Sequence, residues 1–414
     1  MAPHTFHIGD ALNQPAPHHA SFSALWSTKW SAPCSMGIYP FMFASHTDFA
    51  PIAASLSEAN LRPPYNWDVY ASHFFPKAAE LTSLADTALA AGESDKAREY
   101  YLRASAVYRI ARFPAPRSPK QKEAWEKGKE VFYKGAALME FPIREVKVEH
   151  THAVEGEGTV VPVNLLVPKS GEGKHPVVLI FTGLDGYRTE LAVWQEGWVK
   201  KGVATVVVEI PGTGDSPALR NDPTSAERQW DSLLGWIAQQ PELDEKRVVV
   251  WGFSTGGYYA LRAAHTHADQ LLGVVSQGGG CHYMFEREWL EKVNVLEYPF
   301  DLADTLAWKF GYEDLESFIQ EAGKFSLLND GTLEKKCTQV LLVNGEGDEI
   351  FPIDDQWVAL EHGRPKLSRT VLGRKHMGEP EAFFVILEWI HEVLGLDGDW
   401  MAQMRALPSK MKYP

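Results

Sequence analysis

The chain has 414 residues, of which 45% are hydrophobic and 12% aromatic, so it can bury one large core or two modest ones. Its formal net charge of -14, without a cluster of Lys and Arg, argues against nucleic acid or an anionic membrane as the main partner. We expect a globular enzyme with a catalytic domain and an accessory region, acting on a neutral or aromatic substrate.

The three cysteines, Cys34, Cys281 and Cys337, lie far apart and show neither metal-binding nor redox spacing. We therefore expect reduced, structural thiols and predict no metal and no cofactor. The N-terminus lacks the basic start and apolar run of a secretory signal, and no apolar run approaches the length of a membrane span. The sequence thus favours a cytoplasmic protein and predicts no membrane span.

Residues 1–141 are predicted to form an N-terminal arm and a helical cap region. The arm, up to about residue 65, is rich in Pro, Ser, His and aromatic residues without a sustained period, so we expect it to pack over another part of the protein. Three helical patterns follow, at 77–91, 94–111 and 120–138. Gly92 ends the first of them, and Ser94 is the expected N-cap of the second.

Residues 142–414 show the pattern of an α/β domain. Two alternating segments, 144–150 and 159–168, are separated by a Gly-rich turn and predict an antiparallel edge. Five apolar strands without alternation then alternate with helical segments, at 177–181, 204–210, 248–251, 272–276 and 340–343. Strands that are buried on both faces and separated by helices predict a mostly parallel, doubly wound sheet.

One interval, residues 281–336, has helical patterns and no predicted strand. An excursion of this length after a strand predicts a lid, because ligands of open α/β sheets bind at the carboxyl ends of the strands. An amphipathic helix at 382–394 is expected to close the domain.

The segment Gly252-Phe253-Ser254-Thr255-Gly256 follows an apolar strand and precedes small and apolar residues at helical spacing. A strand that turns sharply into a helix leaves almost no room for side chains on either flank, a need that the glycines meet. Such an elbow exposes the Ser254 hydroxyl above the N-terminus of the helix, which favours developing negative charge. Because Gly-x-Ser-x-Gly also occurs by chance, a catalytic interpretation depends on an acid and a histidine downstream.

Asp348 and His376 meet that requirement. Asp348 follows the fifth apolar strand in a Gly-rich loop, where it can accept a hydrogen bond from a histidine; Glu346 is the rival acid. His376 lies in a Gly-flanked loop before the last helix. Together with Ser254 these residues follow the chain order Ser, Asp, His of α/β-hydrolases.

An oxyanion hole needs two backbone N–H groups. Thr255, the residue after the serine, is expected to supply the first, and the segment 181–186 the second. Within that segment Leu184 is the first choice, with Gly183 and Asp185 as alternatives. The Asp185 side chain would equally suit a turn or a substrate contact.

With these motifs in place, the chain resembles the fungal pigment-biosynthesis hydrolases of the yellowish-green type. More distantly it resembles the bacterial C–C hydrolase of nicotine breakdown and the FrsA-like esterases. The resemblance spans nearly the whole chain and rests on Gly252-Phe253-Ser254-Thr255-Gly256-Gly257, Gly345-Glu346-Gly347-Asp348 and Lys375-His376-Met377-Gly378. The resemblance implies an α/β-hydrolase fold and an enzyme that shortens a polyketide. The implied reaction hydrolyses a carbon–carbon bond next to a carbonyl in a naphthopyrone and yields a polyhydroxynaphthalene for melanin.

Two other functions stay open. The same three side chains would cleave an ester, a lactone or a thioester of an aromatic or acyl substrate, because the leaving group distinguishes these reactions. A non-catalytic α/β-hydrolase-like binding protein is the alternative of another class.

The predicted substrate is a small aromatic polyketide, and four aromatic residues of the helical region and the lid are candidates for contacting it. They are Trp67, Tyr70, Tyr283 and Phe285. Each would equally suit a hydrophobic core. Exposed apolar surface on the N-terminal region would also suit a homodimer interface.

Overall fold

The computed structural model describes residues 4–169 and 173–399. The chain divides into two compact units. One is formed by residues 15–145, and the other by the first fourteen residues together with residues 146–414. The domain boundary was predicted after residue 141, and the structural division lies after residue 145; the predicted end of the second domain lies outside the described residues.

The first described residues, which belong to the predicted N-terminal arm, pack on the larger unit. His4 Nε2 lies 2.9 Å from Asp354 Oδ1, and the backbone N–H of His7 donates to both oxygens of that carboxylate at 3.2 Å. The His4 ring stacks on Tyr283, with 3.8 Å between centroids, and the buried Phe6 ring meets the same tyrosine edge-on. A buried carboxylate and an aromatic surface therefore hold a segment that has no secondary-structure pattern of its own.

The unit of residues 15–145 is almost entirely helical. Its helices are α1 (Phe22–Leu25), α2 (Ser31–Met36), α3 (His46–Glu58), α4 (Trp67–Ser72), α5 (Phe75–Ala90), α6 (Ser94–Arg112) and α7 (Pro119–Ala136). Helix α7 begins with a capping box between Ser118 and Gln121, which satisfies otherwise unpaired N–H groups. Ser94 is the first residue of α6 and not its N-cap, since Glu93 occupies that position without a side-chain cap.

The larger unit is built on an eight-stranded sheet of order β1-β2-β4-β3-β5-β6-β7-β8. Its strands are β1 (Arg144–Glu149), β2 (Val160–Leu166), β3 (His175–Phe181), β4 (Ala204–Val208), β5 (Leu243–Phe253), β6 (Gly273–Gln277), β7 (Gln339–Gly345) and β8 (Leu367–Val371). Strand β2 pairs antiparallel with β4, and the pairs from β4 to β8 are parallel. The prediction of a mostly parallel sheet with an antiparallel edge is confirmed.

Helices cover both faces of this sheet. The helices of the larger unit are α8 (Ala192–Val199), α9 (Ser225–Gln239), α10 (Thr255–Thr266), α11 (Arg287–Leu290), α12 (Leu302–Lys309), α13 (Leu315–Glu321), α14 (Asp354–Glu361) and α15 (Glu381–Val393). On one face Ile180 and Trp251 share a buried cluster with Ile386 of α15. On the other face Phe181 stacks on Trp230 of α9 at 4.0 Å. Each such buried side chain contributes about 1.5–3 kcal/mol of hydrophobic stabilisation.

Residues 281–336 form the predicted strandless insertion, which contains α11, α12, α13 and short 3₁₀ turns. We call it the lid segment. Among residues 4–169 and 173–399, no helix combines the length and apolarity that a membrane crossing requires.

The strand register brings several loops to one edge of the sheet. Phe181 of β3 pairs with Gly252 of β5, and Gln277 of β6 pairs with Val343 of β7. Because these strands are parallel, the loops that follow them start side by side. The segments containing Leu184, Ser254 and Asp348 all begin at this edge.

Candidate active site

Ser254 occupies the turn between β5 and α10, with φ 55° and ψ -121°. A positive φ costs a residue with a side chain on the order of 1 kcal/mol or more, so neighbouring contacts must hold it. The Ser254 N–H donates to the Gln277 carbonyl at 2.8 Å, and the Gly257 N–H donates to the Ser254 carbonyl at 2.7 Å. These bonds fix the serine at the strand-to-helix turn.

Glycine is required on both sides of this turn because three backbones meet there. A Cβ on Gly252 would lie 2.2 Å from the Gly256 carbonyl oxygen. A Cβ on Gly256 would lie 2.3 Å from the Thr182 carbonyl oxygen. Strand β5, helix α10 and the loop after β3 are therefore packed too closely for any side chain.

The structure brings Ser254, His376 and Asp348 together. His376 Nε2 lies 2.8 Å from Ser254 Oγ, and His376 Nδ1 lies 2.7 Å from Asp348 Oδ2. The Asp348 side chain is fully buried and the His376 side chain is 11% exposed. In the tautomer that donates from Nδ1 to the carboxylate, Nε2 is the ring nitrogen that accepts the Ser254 hydroxyl proton.

The buried Asp348 carboxylate has several donors besides His376. Its Oδ1 accepts the backbone N–H groups of Ile350 at 2.7 Å and Phe351 at 3.0 Å, and its Oδ2 accepts Asn344 Nδ2 at 2.7 Å. These bonds offset the cost of burying the charge. The rival acid, Glu346, is 39% exposed and accepts the Gly373 N–H, so it does not take this position.

Sequence reasoning missed three polar residues that hold the His376 loop. Asn344 Oδ1 accepts the Met377 N–H at 2.9 Å, Gln277 Nε2 donates to the Met377 carbonyl at 3.2 Å, and Glu297 Oε2 accepts the His376 N–H at 3.2 Å. Asn344 and Gln277 each lie at the carboxyl end of a strand, a signal that could have identified them. Glu297 lies in the lid segment without such a signal.

The loop after β3 lies against the serine turn. A Cβ on Gly183 would lie 3.5 Å from the Ser254 Cβ. The Gly183 N–H donates to the Gly186 carbonyl at 3.2 Å, which removes Gly183 as the alternative donor of an oxyanion hole. In the part of the chain that the structure describes, the N–H groups of Leu184 and Thr255 donate to no other protein group. Both residues are buried, so their N–H groups meet one requirement of the predicted oxyanion donors, a site away from bulk water.

The predicted substrate contacts of the larger unit have other partners. Asp185 is 5% exposed, and its Oδ2 accepts the Tyr298 hydroxyl at 2.7 Å. The partly buried Tyr283 ring stacks on His4. Phe285 is 3% exposed and packs among other aromatic rings, which makes it a core residue of the lid segment.

The two candidates of the helical unit are also packed within it. Tyr70 is fully buried and donates from its hydroxyl to the Ile110 carbonyl at 2.9 Å. Trp67 lies beside Tyr65, and the Arg117 guanidinium lies 4.8 Å from its ring centroid. These contacts favour structural roles for both.

A buried ion network ties the loop after β3 to the loop after β4. Arg188 Nη1 donates to both oxygens of Glu209 at 2.8 and 2.9 Å, and Arg188 Nη2 lies 2.8 Å from Asp215 Oδ2. Burial raises the pKa of Glu209 to about 7, because desolvation outweighs the attraction of Arg188. The network therefore anchors the chain just after the Leu184 loop, at a high desolvation cost.

A second Ser, His and acid set occurs in the larger unit but is closed to substrate. His150 Nδ1 lies 2.8 Å from Ser232 Oγ, and His150 Nε2 lies 3.5 Å from Glu157 Oε2. Ser232 is 2% exposed and its hydroxyl also donates to the Arg228 carbonyl, as a helical serine commonly does. Burial lowers the pKa of His150. This set has the contacts of a packing cluster.

No group of three or more His, Cys, Asp or Glu side chains is arranged to hold a metal ion within residues 4–169 and 173–399. The Ser254 hydroxyl, the His376 imidazole and the Asp348 carboxylate form one hydrogen-bonded series, an arrangement that can support acyl transfer.

Comparison with known proteins identifies related sequences. A family model described as Esterase FrsA-like matches residues 78–393. Hydrolase LUC6 of a Fusarium species is 28% identical over 76% of this chain and 81% of its own. Hydrolase acrC of Aspergillus aculeatus is 30% identical over 51% of this chain and 53% of its own. Esterase FrsA of Pectobacterium atrosepticum is 24% identical over 64% of this chain and 62% of its own.

Solved structures show the same fold at low sequence identity. The 2,6-dihydroxy-pseudo-oxynicotine hydrolase superposes with a TM-score of 0.66 at 18% identity, covering 93% of this chain and all of that one. AbyA5 superposes with a TM-score of 0.62 at 24% identity, covering 80% of this chain and 90% of that one. The predicted α/β-hydrolase fold is confirmed.

Proposed function

The chain belongs to the FrsA-like esterase family, and on that premise we propose that it is a serine hydrolase with Ser254 as nucleophile. His376 is the general base and acid, and Asp348 orients it. One observation carries this proposal: at a strained strand-to-helix turn, Ser254 Oγ lies 2.8 Å from His376 Nε2, whose other ring nitrogen lies 2.7 Å from Asp348.

The proposed reaction proceeds in two halves. His376 Nε2 takes the Ser254 proton while Ser254 Oγ bonds to a substrate carbonyl carbon, and the N–H groups of Thr255 and Leu184 stabilise the oxyanion. Collapse of this intermediate breaks the bond to the leaving group, which takes the electron pair and receives the proton from His376. A water molecule, deprotonated by His376, then attacks the acyl-serine and releases a carboxylic acid and the free serine.

The substrate that we favour is an aromatic polyketide with a scissile carbon–carbon bond next to a carbonyl. A carbon leaving group departs as a carbanion, and the conjugated carbonyls and ring of an aromatic polyketide delocalise its electron pair. The proposed residues then need to supply only attack, oxyanion stabilisation and proton transfer. Support comes from the motif resemblance to the pigment hydrolases and from two fungal relatives that are hydrolases. The corresponding reaction converts a naphthopyrone to a polyhydroxynaphthalene.

Ester hydrolysis is the second candidate. The matching family model is described as Esterase FrsA-like, and relatives named Esterase FrsA align with more than half of this chain. An alkoxide leaving group needs no carbanion stabilisation, so the same residues serve this reaction.

Two measurements test these proposals in order. A fluorophosphonate probe should label the folded protein and fail to label Ser254→Ala; an unlabelled wild type that is folded would favour a binding protein. Product analysis with a naphthopyrone and with simple aryl esters then separates the reactions. Rapid ester turnover with an unchanged naphthopyrone would exclude the polyketide reaction.

A further inference from the structure

Two consecutive residues of the lid segment, Glu297 and Tyr298, contact the loops on either side of Ser254. The Tyr298 hydroxyl donates to Asp185 Oδ2 at 2.7 Å, in the loop that carries Leu184. Glu297 Oε2 accepts the His376 N–H at 3.2 Å. The Glu297, Tyr298 and Asp185 side chains are at most 8% exposed, so these bonds form away from bulk water, where they are stronger.

The contact with Asp185 bears on the oxyanion donors. The Gly183 N–H donates to the Gly186 carbonyl at 3.2 Å, and the backbone bends sharply at Leu184 and Asp185 between these two residues. The Leu184 N–H belongs to the planar peptide that precedes Leu184, so a movement of Asp185 reaches this donor through the single residue between them. An oxyanion donor must lie about 2.7–3.1 Å from the developing charge, which leaves little tolerance for such a shift.

The contact of Glu297 with the His376 N–H holds the backbone of the proposed general base. The bond at the His376 N–H holds the backbone from which the imidazole reaches Ser254. Successive Cα atoms are about 3.8 Å apart, so movement of the lid segment at Glu297 also moves Tyr298. The position of the lid therefore affects the oxyanion turn and the base at once.

We propose that Tyr298 is a positioning residue of the oxyanion hole, and that the Glu297-Tyr298 pair couples lid closure to assembly of the active site. With the lid closed over a substrate, the Asp185 turn and the His376 loop are held in their reactive positions. With the lid displaced, both loops lose a buried hydrogen bond. This inference rests on the proposed function, because it takes Ser254 as nucleophile and Leu184 as an oxyanion donor.

Tyr298→Phe removes the hydroxyl and keeps the ring. With p-nitrophenyl acetate as substrate, we expect kcat to fall by about 10- to 100-fold with KM changed by less than about threefold, since the lost interaction acts in the transition state. The rate of fluorophosphonate labelling should fall in parallel. Tyr312→Phe is the matched control: this lid tyrosine donates from its hydroxyl to exposed Glu321 at 2.7 Å, and its loss should leave both rates unchanged.

A second pair of variants covers the case in which Tyr298→Phe does not fold. Asp185→Asn keeps an oxygen that can accept the Tyr298 hydroxyl, and Asp185→Ala does not. We expect Asp185→Asn to retain more kcat than Asp185→Ala, and Asp185→Ala combined with Tyr298→Phe to lose no more than the larger single loss.

The outcomes separate the two proposals. If the wild type is not labelled by the fluorophosphonate, the proposed function fails. Thermal unfolding would first show that Tyr298→Phe is folded. If the wild type is then labelled, and Tyr298→Phe keeps the kcat and the labelling rate of Tyr312→Phe, only the positioning role is overturned. Equal activity of Asp185→Asn and Asp185→Ala would overturn it as well.

Discussion

The Asn344 carboxamide donates a 2.7 Å hydrogen bond to Oδ2 of Asp348, the oxygen that also faces His376. Its own oxygen accepts the Met377 N–H at 2.9 Å. One side chain at the end of β7 thus fixes the carboxylate and the backbone next to the base. Met377 has a positive φ of 68°, so that backbone needs an external contact to hold it.

Asn344→Ala should therefore lower kcat without unfolding the protein. The change leaves the Met377 N–H unpaired and removes one donor from a buried carboxylate, at a cost of about 1–3 kcal/mol in stability. A displacement of His376 on the order of 1 Å would reduce kcat by about 100-fold. Steady-state kinetics of the variant and the wild type would measure this loss of kcat. Asn329→Ala, at an exposed lid position, is the control, and equal kcat values for the two variants would contradict the prediction.

Ser254→Ala and Ser232→Ala test which of the two Ser, His and acid sets is catalytic. Ser254→Ala should lose about 10⁴-fold or more of kcat/KM, as expected when a nucleophile is removed. Ser232→Ala removes a buried hydroxyl from His150 and should change stability rather than kcat/KM. A Ser232→Ala enzyme as inactive as Ser254→Ala, while fully folded, would mean that the site is misassigned.

Gly256→Ala and Gly235→Ala make the same chemical change in two different environments. The Gly256 Cβ would lie 2.3 Å from the Thr182 carbonyl oxygen, so we expect loss of activity and a lower unfolding temperature. Gly235 lies on the exposed face of α9 with no atom within 4 Å of its Cβ position. There alanine should stabilise the protein by roughly 0.5–1 kcal/mol through helix propensity. The unfolding temperature and the activity of both variants would be compared with those of the wild type. A Gly256→Ala protein with unchanged stability and activity would contradict the close packing at the Ser254 turn.

The sequence was informative where local chemistry repeats a known pattern. Ser254, Asp348 and His376 each follow an apolar strand or lie in a Gly-flanked loop, and parallel strands bring such loops to one edge. Leu184 was predicted for the same reason, since its loop follows β3. The structure places these residues together, whereas their catalytic roles remain predictions that the variants above test.

Other features depend on contacts that local patterns do not encode. Strand β8 was missed because its residues, Leu367 to Val371, are exposed or only partly buried at the edge of the sheet and show no apolar run. Glu297 meets the His376 backbone across 79 residues of sequence, so neither its neighbours nor its spacing marks it. The N-terminal segment is held by Asp354 and Tyr283, which a short aperiodic sequence cannot predict. Phe285 was predicted as a possible substrate contact but is buried in the lid segment. An aromatic residue of a lid packs in the core of that lid as readily as it faces a ligand.

His265, on α10 behind the nucleophile, should make stability depend on pH. Burial lowers its pKa to about 4, and its Nδ1 lies 2.8 Å from the Lys335 carbonyl. The Nε2 atom is buried and, among the described residues, has no hydrogen-bond partner, so a second proton would be poorly solvated there. An ordinary histidine pKa is about 6.5. As pH falls from 6.5 toward 4, the unfolded chain binds a proton that the folded chain does not, and stability is lost.

His265→Gln should flatten this dependence. Glutamine can still donate to the Lys335 carbonyl but does not titrate, so the wild type should lose stability relative to the variant by on the order of 2 kcal/mol between pH 7 and pH 5. Denaturant unfolding at pH 7, 6 and 5 would measure both proteins, and all other titrating groups cancel in the comparison. Above about pH 8 the difference between them should be constant, because the imidazole is then almost wholly neutral in both the folded and the unfolded wild type. Parallel stability curves across the whole range would show that His265 takes up its proton in the folded state as readily as in the unfolded chain.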